Sequence, residues 1–243
     1  MPSPLKEPKL SIIVPVFNEE DTLLEIMQRI SEQPWNKEII AIDDGSTDRS
    51  PQLLKQLATE NSDLHIILCK ENRGKGAALR EGFSYATGDI ILIQDADLEY
   101  DPSDYQQLLI PLLDGRADVV YGSRFLGGPH RVLNHHHYIA NRFLTLLSNL
   151  CTNLNLSDME TCYKAFRREL LPQLRLTENG FGFEPEFTAQ IAYHNFSVYE
   201  VPISYSGRTY EEGKKIGWRD GIHALRVILS VQWQMRRSKS NTT

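Results

Sequence analysis

The chain has too few cysteines for a disulfide framework and no apolar run long enough to cross a bilayer. Cys69, Cys151 and Cys162 are an odd, scattered set without metal-ligand spacing. They point to a reducing compartment and to structural thiols. No stretch approaches the roughly 18 apolar residues of a spanning helix, and the opening MPSPLKEPKL lacks the apolar core of a secretory leader. Repeats, Pro-rich linkers and low-complexity tracts are missing too, which leaves one compact unit. A net charge of −6 offers no general basic surplus for nucleic acid.

What is present is an ordinary globular composition. With 243 residues, 41% hydrophobic and 24% charged, the chain can bury one sizeable core. The charge is uneven: from Gly207 onward, eight Lys/Arg face only Glu211, Glu212 and Asp220. A basic end on an acidic body suits a phosphate or a membrane surface, although a solvated tail accounts for it equally well.

The first half alternates strand and helix patterns. LSIIVPV at 10–16 is β-rich, and Asn18 is expected to cap a helix with Glu19, Glu20 and Asp21 in its first turn. EIIAIDDGSTD brings a second strand to Asp43 and Asp44, Ser50-Pro51 opens a second helix, and LHIILC at 64–69 is a third strand. NRGKG then turns into a helix. DIILIQDADLEYD at 89–101 is a buried fourth strand ending in carboxylates, and DVVYGSR at 118–124 is a fifth. Such a rhythm implies parallel βαβ units with helices on both faces. The loops after the strands then share one edge.

After Arg124 the alternation fails. GGPHRVLNHHH reads as a loop. YIANRFLTLLSNLCTNLNL reads as a helix with Phe143, Leu146, Leu147 and Leu150 on one face, SDMETCYKAF as a turn and short strand, and FEPEFTAQIAYHN as a helix. SVYEVPISYS is a strand that Pro202 assigns to an edge. Residues 219–236 are helical in pattern, with Ile222, Leu225, Leu229 and Trp233 at helix spacing and with Ile222 and Leu225 expected in the core. His135, His136 and His137 are too close together to ligate one metal from regular structure, so a loop over the site is expected rather than a zinc centre.

The acidic strand end is the chemical focus. Asp95 and Asp97 bracket Ala96, and Glu99 follows at the same spacing. Such crowding calls for a hard divalent cation that also binds substrate phosphates. The neighbouring loops meet the other demands of a nucleotide sugar. Asp43 or Asp44 and the Pro15-Val16-Phe17 turn suit a base, and Glu19 suits ribose hydroxyls. Arg73, Lys75 and the glycines of NRGKG suit a diphosphate.

The ordered set VPVFNEE, IDDGSTD, NRGKG, DADLE and GSRF resembles the GT-A glycosyltransferases, and most closely dolichyl-phosphate mannose synthases and bacterial polyprenyl-phosphate glycosyltransferases. The similarity covers about residues 10–220. The resemblance implies a mostly parallel α/β sheet over 10–215, with a nucleotide-sugar half (10–124) and an acceptor half (125–215). Residues 1–9 would form a tail, 216–236 a C-terminal amphipathic helix and 237–243 a second tail. It implies Mg2+ or Mn2+ held by Asp95, Asp97 and Glu99, and nucleotide contacts from Pro15, Phe17, Glu19, Asp43, Asp44, Lys75 and Ala96. Asp97, Arg124 and Arg208 carry the transfer, the two arginines by holding the acceptor phosphate, with Lys215 near Arg208 and either Arg131 or Arg142 aiding the acceptor.

The implied reaction moves a hexose from a GDP-mannose or UDP-glucose type donor to a polyprenyl phosphate, with inversion. An acceptor phosphate ionised near neutrality needs arginines rather than a general base. A hydroxyl acceptor, served by Asp158 or Glu160 as base, is the alternative within enzymes. A nucleotide-sugar binding module without turnover is the alternative outside them. The expected location is the cytoplasmic face of a membrane, reached by surface binding, by dimerising or through a separate membrane partner.

Overall fold

A computed structural model describes residues 2–132, 135–208 and 221–231. Seven strands form one sheet in the order β3-β2-β1-β4-β6-β5-β7. They are β1 (Leu10–Val16), β2 (Lys37–Asp43), β3 (Leu64–Leu68), β4 (Ile90–Ile93), β5 (Val119–Ser123), β6 (Lys164–Arg167) and β7 (Val198–Pro202). β6 runs antiparallel to β4 and β5, and every other pairing is parallel. β7 lies at an edge, where Pro202 costs no ladder bond.

The order reverses at β1, whose sequence neighbour β2 lies on one side and β4 on the other. Ile12 stands between Ile39 and Leu92, and Ile13 between Ile40 and Ile93, all buried. A crevice opens at the carboxyl ends of strands at such a reversal. The loops after β1 and β4 therefore flank it.

The helices are α1 (Leu23–Ser31), α2 (Ser50–Glu60), α3 (Lys75–Tyr85), α4 (Tyr105–Leu113), α5 (His135–Thr152) and α6 (Phe183–Tyr193), with residues 221–231 forming α7. α3 packs on β1 and β2, α2 on β3, and α4 on β5 and β6. The three cysteines are free thiols. Among the described residues no helix is long and apolar enough to cross a membrane.

Several expectations need correcting. Asn18 does not cap α1; it sits at φ 50°, and its side-chain carbonyl accepts from the Thr47 amide at 2.8 Å, tying the first two crevice loops together. α1 begins only at Leu23. His135, His136 and His137 are the first turn of α5, not a loop. On α5 the apolar face turns largely outward: Thr145 and Ser148 are buried, Leu147 is half-buried, and Phe143, Leu146 and Leu150 are 54, 56 and 72% exposed. α7 buries Ala224, Val227, Ile228 and Val231 rather than Ile222. Lys215, Trp218, Trp233 and the last basic residues lie outside the described residues.

Residues 2–9 are joined to the body rather than trailing from it. Leu5 donates to Leu113 O at 3.0 Å, and Arg167 holds Ser3 O at 2.5 Å. At the amino edge of the sheet, Glu38 collects Lys9 at 2.6 Å, Ser11 at 2.5 Å and both donors of Thr87 at 2.7 Å. Burial opposes its charge, yet these bonds prevail and hold the carboxyl at about 2.

Candidate functional site

One cavity of about 1470 Å³ lies at the carboxyl edge. Pro15, Phe17, Glu19, Asp44, Lys75, Asp95, Ala96, Asp97, Glu99, Arg124 and Arg208 all line it. Of the residues singled out as site candidates, Asp43, Arg73, Arg142 and Asp158 do not. Asp43 is buried at the end of β2, with one oxygen on the Ser46 amide at 3.2 Å and the other without a hydrogen bond.

Each loop is fixed from below. Asp44 accepts from the Arg73 and Gly74 amides at 2.9 and 2.7 Å, so the second-strand loop sets the NRGKG turn. Gly74 sits at φ 97°, and a Cβ there would meet Asn179 O at 2.5 Å. Only glycine fits this entry into α3. Gln94, buried at the end of β4, receives Tyr105 and Tyr163 hydroxyls at 2.9 and 2.6 Å and donates to Asp95 O at 3.0 Å. Thr22 ties the Ala96 carbonyl, at 2.8 Å, to the first loop.

The charges are interleaved. Lys75 lies 2.9 Å from Asp95. Arg208 forks onto Glu19 at 2.9 and 3.0 Å and reaches Asp97 at 3.0 Å. Arg124 is held by Asp158, which takes Nε and Nη2 at 2.7 Å each. Asp158 is fully buried and committed to that pair, so it is not available as a base. Arg131 lines the cavity, whereas Arg142 reaches Ser157 O at 3.4 Å from outside the lining.

Carboxylate crowding persists despite these cations. Burial, then the charges of Asp95 and Glu99, push Asp97 up to about 7 against the pull of Arg208. A divalent cation would relieve that crowding. Glu99, expected as a third ligand, has its oxygens on the Tyr205 hydroxyl at 2.9 Å and the Arg208 amide at 2.7 Å. Among the described residues no group of three His, Cys, Asp or Glu is placed to hold a metal. Asp95 and Asp97 remain as the fitting pair, since ions such as Mg2+ are commonly held by one or two carboxylates together with substrate phosphates.

Sequence reasoning missed the residues that brace these groups, Gln94 and Lys164 above all. It also read Glu184 only as part of a helix. An acidic first turn is ordinarily a favourable dipole charge, so nothing marked Glu184 as inward-facing.

The α/β sheet with its carboxylate-lined crevice at the strand reversal matches solved structures in fold. The fold matches glucosyl-3-phosphoglycerate synthase from Mycobacterium tuberculosis in complex with Mn2+, UDP and phosphoglyceric acid, with a TM-score of 0.72 at 21% identity over 93% of this chain and 78% of that one. The same enzyme with Mg2+ and UDP matches with a TM-score of 0.69 at 21% identity, covering 92 and 79%. In sequence, the polyprenol monophosphomannose synthase of Mycolicibacterium smegmatis is 29% identical over 214 residues, 85% of this chain and 80% of that protein. The family model for glycosyl transferase family 2 matches residues 11–175, and the chain belongs to that family. It is a glycosyltransferase of the GT-A fold.

Proposed function

We propose that this enzyme transfers one hexose from a nucleotide sugar of the GDP-mannose or UDP-glucose type to a polyprenyl phosphate, with inversion and with Mg2+ or Mn2+. The observation that carries the reading is the make-up of a single cavity. Acidic loops and Lys75 line it together with Arg124 and Arg131 and an apolar group comprising Val132, Tyr138, Phe143, Ile222 and Leu225. A lipid phosphate needs both a cationic seat and an apolar exit; a small soluble acceptor needs only the first.

The chemistry follows from the residues. Pro15 and Phe17 flank the base, Glu19 accepts from the ribose, and Lys75 faces the diphosphate. Asp95 and Asp97 would hold the cation, which when bound supplies positive charge to the departing nucleoside diphosphate. Arg124, oriented by Asp158, and Arg131 hold the acceptor phosphate by forked bonds. Arg208, expected at the acceptor phosphate, is engaged by Glu19 and Asp97 and balances their charge instead. With a second pKa near 6, the acceptor is largely dianionic at neutral pH. Its oxygen attacks the anomeric carbon, the bond to the diphosphate breaks, and an α-linked donor gives a β-linked sugar phosphate without a base.

The exposed face of α5 supports contact with a membrane surface. Ile139, Phe143, Leu146 and Leu150 form an outward stripe, and Phe143 also lines the cavity. Arg142 is exposed beside it and suits anionic headgroups. The reading is tested by incubating the protein with Mg2+ or Mn2+, labelled sugar nucleotides and a polyprenyl phosphate. Label is expected in the organic phase. Transfer to no lipid phosphate from any donor would overturn it.

A further inference from the structure

The cavity wall beside Lys75 holds two carboxyl groups that the transfer chemistry leaves without a task. Glu184, in the first turn of α6, is 3% exposed. Lys164 grips its Oε2, while Oε1 is buried without a hydrogen bond, 3.8 Å from Lys75 Nζ. Glu160, in the loop before β6, lines the same cavity, and its Oε1 is likewise buried without a hydrogen bond. Lys164 is fully buried and already occupied by Glu184, the Thr161 carbonyl and the Tyr121 ring at 5.0 Å.

A buried carboxyl oxygen without its hydrogen bond is costly, so two of them on one cavity wall call for donors that arrive with a ligand. The sign of the charge selects that ligand. A phosphate is repelled by the Glu184 carboxylate, whereas the neutral hydroxyls of a pyranose can bond to both acids. We propose that Glu184 and Glu160 read hydroxyl groups of the transferred hexose, with Lys75 and Asp95 marking the side where the diphosphate begins. This assignment rests on the glycosyl-transfer reading above. Burial, then the charge of Glu184, push Glu160 up to about 8 despite Lys164 and Arg124. At neutral pH its carboxyl is therefore mainly protonated, and it can both donate to a hydroxyl and accept from one.

The roles are separable by calorimetry in Mn2+ with UDP, GDP, UDP-glucose, GDP-mannose and the mono-deoxy forms of whichever hexose binds. Glu160→Ala should weaken the sugar nucleotide tenfold or more while changing the nucleoside diphosphate less than twofold. Glu160→Gln, which keeps a donor and an acceptor, should recover most of the loss. For the wild type, deleting one particular hydroxyl should cost tenfold or more; for Glu160→Ala the same deletion should cost less than twofold. Glu184→Gln should show the same blindness at a second hydroxyl; because it removes the counter-ion of Lys164, the Glu160 variants decide the matter. Equal losses on both ligand classes, or losses that simply add at every hydroxyl, overturn the assignment. A wild-type protein that binds neither UDP nor GDP overturns the glycosyl-transfer reading together with it.

Discussion

α3 and α5 stand on the two sides of one cavity and use their apolar residues in opposite ways. α3 turns Ala77, Ala78, Leu79 and Phe83 into the core against β1 and β2. α5 buries Thr145 and Ser148 and leaves Phe143, Leu146 and Leu150 outside. Burying a large apolar side chain is worth about 1.5–3 kcal/mol, so the second arrangement forgoes stability that the first secures. The difference teaches that an apolar stripe reports contact with an apolar phase, and that phase need not be the protein's own core. For α3 the phase is the sheet; for α5 we propose that it is lipid.

The contrast can be broken or sharpened by substitution. The largest effect is expected at the donor end. Asp97→Ala should lower transfer about 10³-fold while circular dichroism shows an unchanged fold. Retained turnover would remove the acidic loop from the chemistry. Next is the acceptor seat. Arg124→Ala should cut transfer by on the order of 10²-fold and also destabilise the chain by about 3–5 kcal/mol, because Asp158 is left buried and unpaired. Denaturant titration beside kinetics separates the two losses, and Asp158→Asn should share the stability loss.

A matched pair then addresses the helices themselves. Leu79→Ala in α3 should cost about 2–5 kcal/mol, whereas Leu146→Gln in α5 should stay within about 0.5 kcal/mol. The α5 change should nevertheless weaken sedimentation with anionic vesicles and raise KM for a long-chain acceptor, leaving a short, water-soluble polyprenyl phosphate unaffected. Comparable destabilisation by both would return α5 to an ordinary packing role. The smallest effect lies at the opposite edge of the sheet. Glu38 has a folded pKa of about 2, below its usual value of 4.5. Its contribution, on the order of 3 kcal/mol, is present above about pH 4.5 and lost as pH falls towards 2. Glu38→Gln should flatten the acid limb of a stability profile measured over that window.

Most of residues 10–124 is legible in the sequence because its signals are local. The run Ile90 to Ile93 followed by Asp95 and Asp97, or Gly74 ahead of α3, states its own geometry. Residues 125–208 are less so. The helix at 135–152 has the right period, but period alone does not say which side is in, and the inward side mixes Leu144 and Cys151 with the buried Thr145 and Ser148. Asn18 and Glu19 resemble a helix start because turn and cap chemistry use the same residues. The partners of the arginines lie far along the chain: Asp158 is 34 residues from Arg124, and Glu19 is 189 from Arg208. Glu160 and Glu184 were recognisable as acids, but only packing shows that one oxygen of each is buried and unbonded.

The most direct measurement offers the enzyme a polyprenyl phosphate and the matching free polyprenol, each with an α-linked sugar nucleotide, and assigns the anomeric configuration of the product by NMR. The account predicts a β-linked sugar phosphate on the lipid phosphate, one nucleoside diphosphate released per sugar, and no product from the polyprenol. A retained α configuration, or preference for the free hydroxyl, would contradict it.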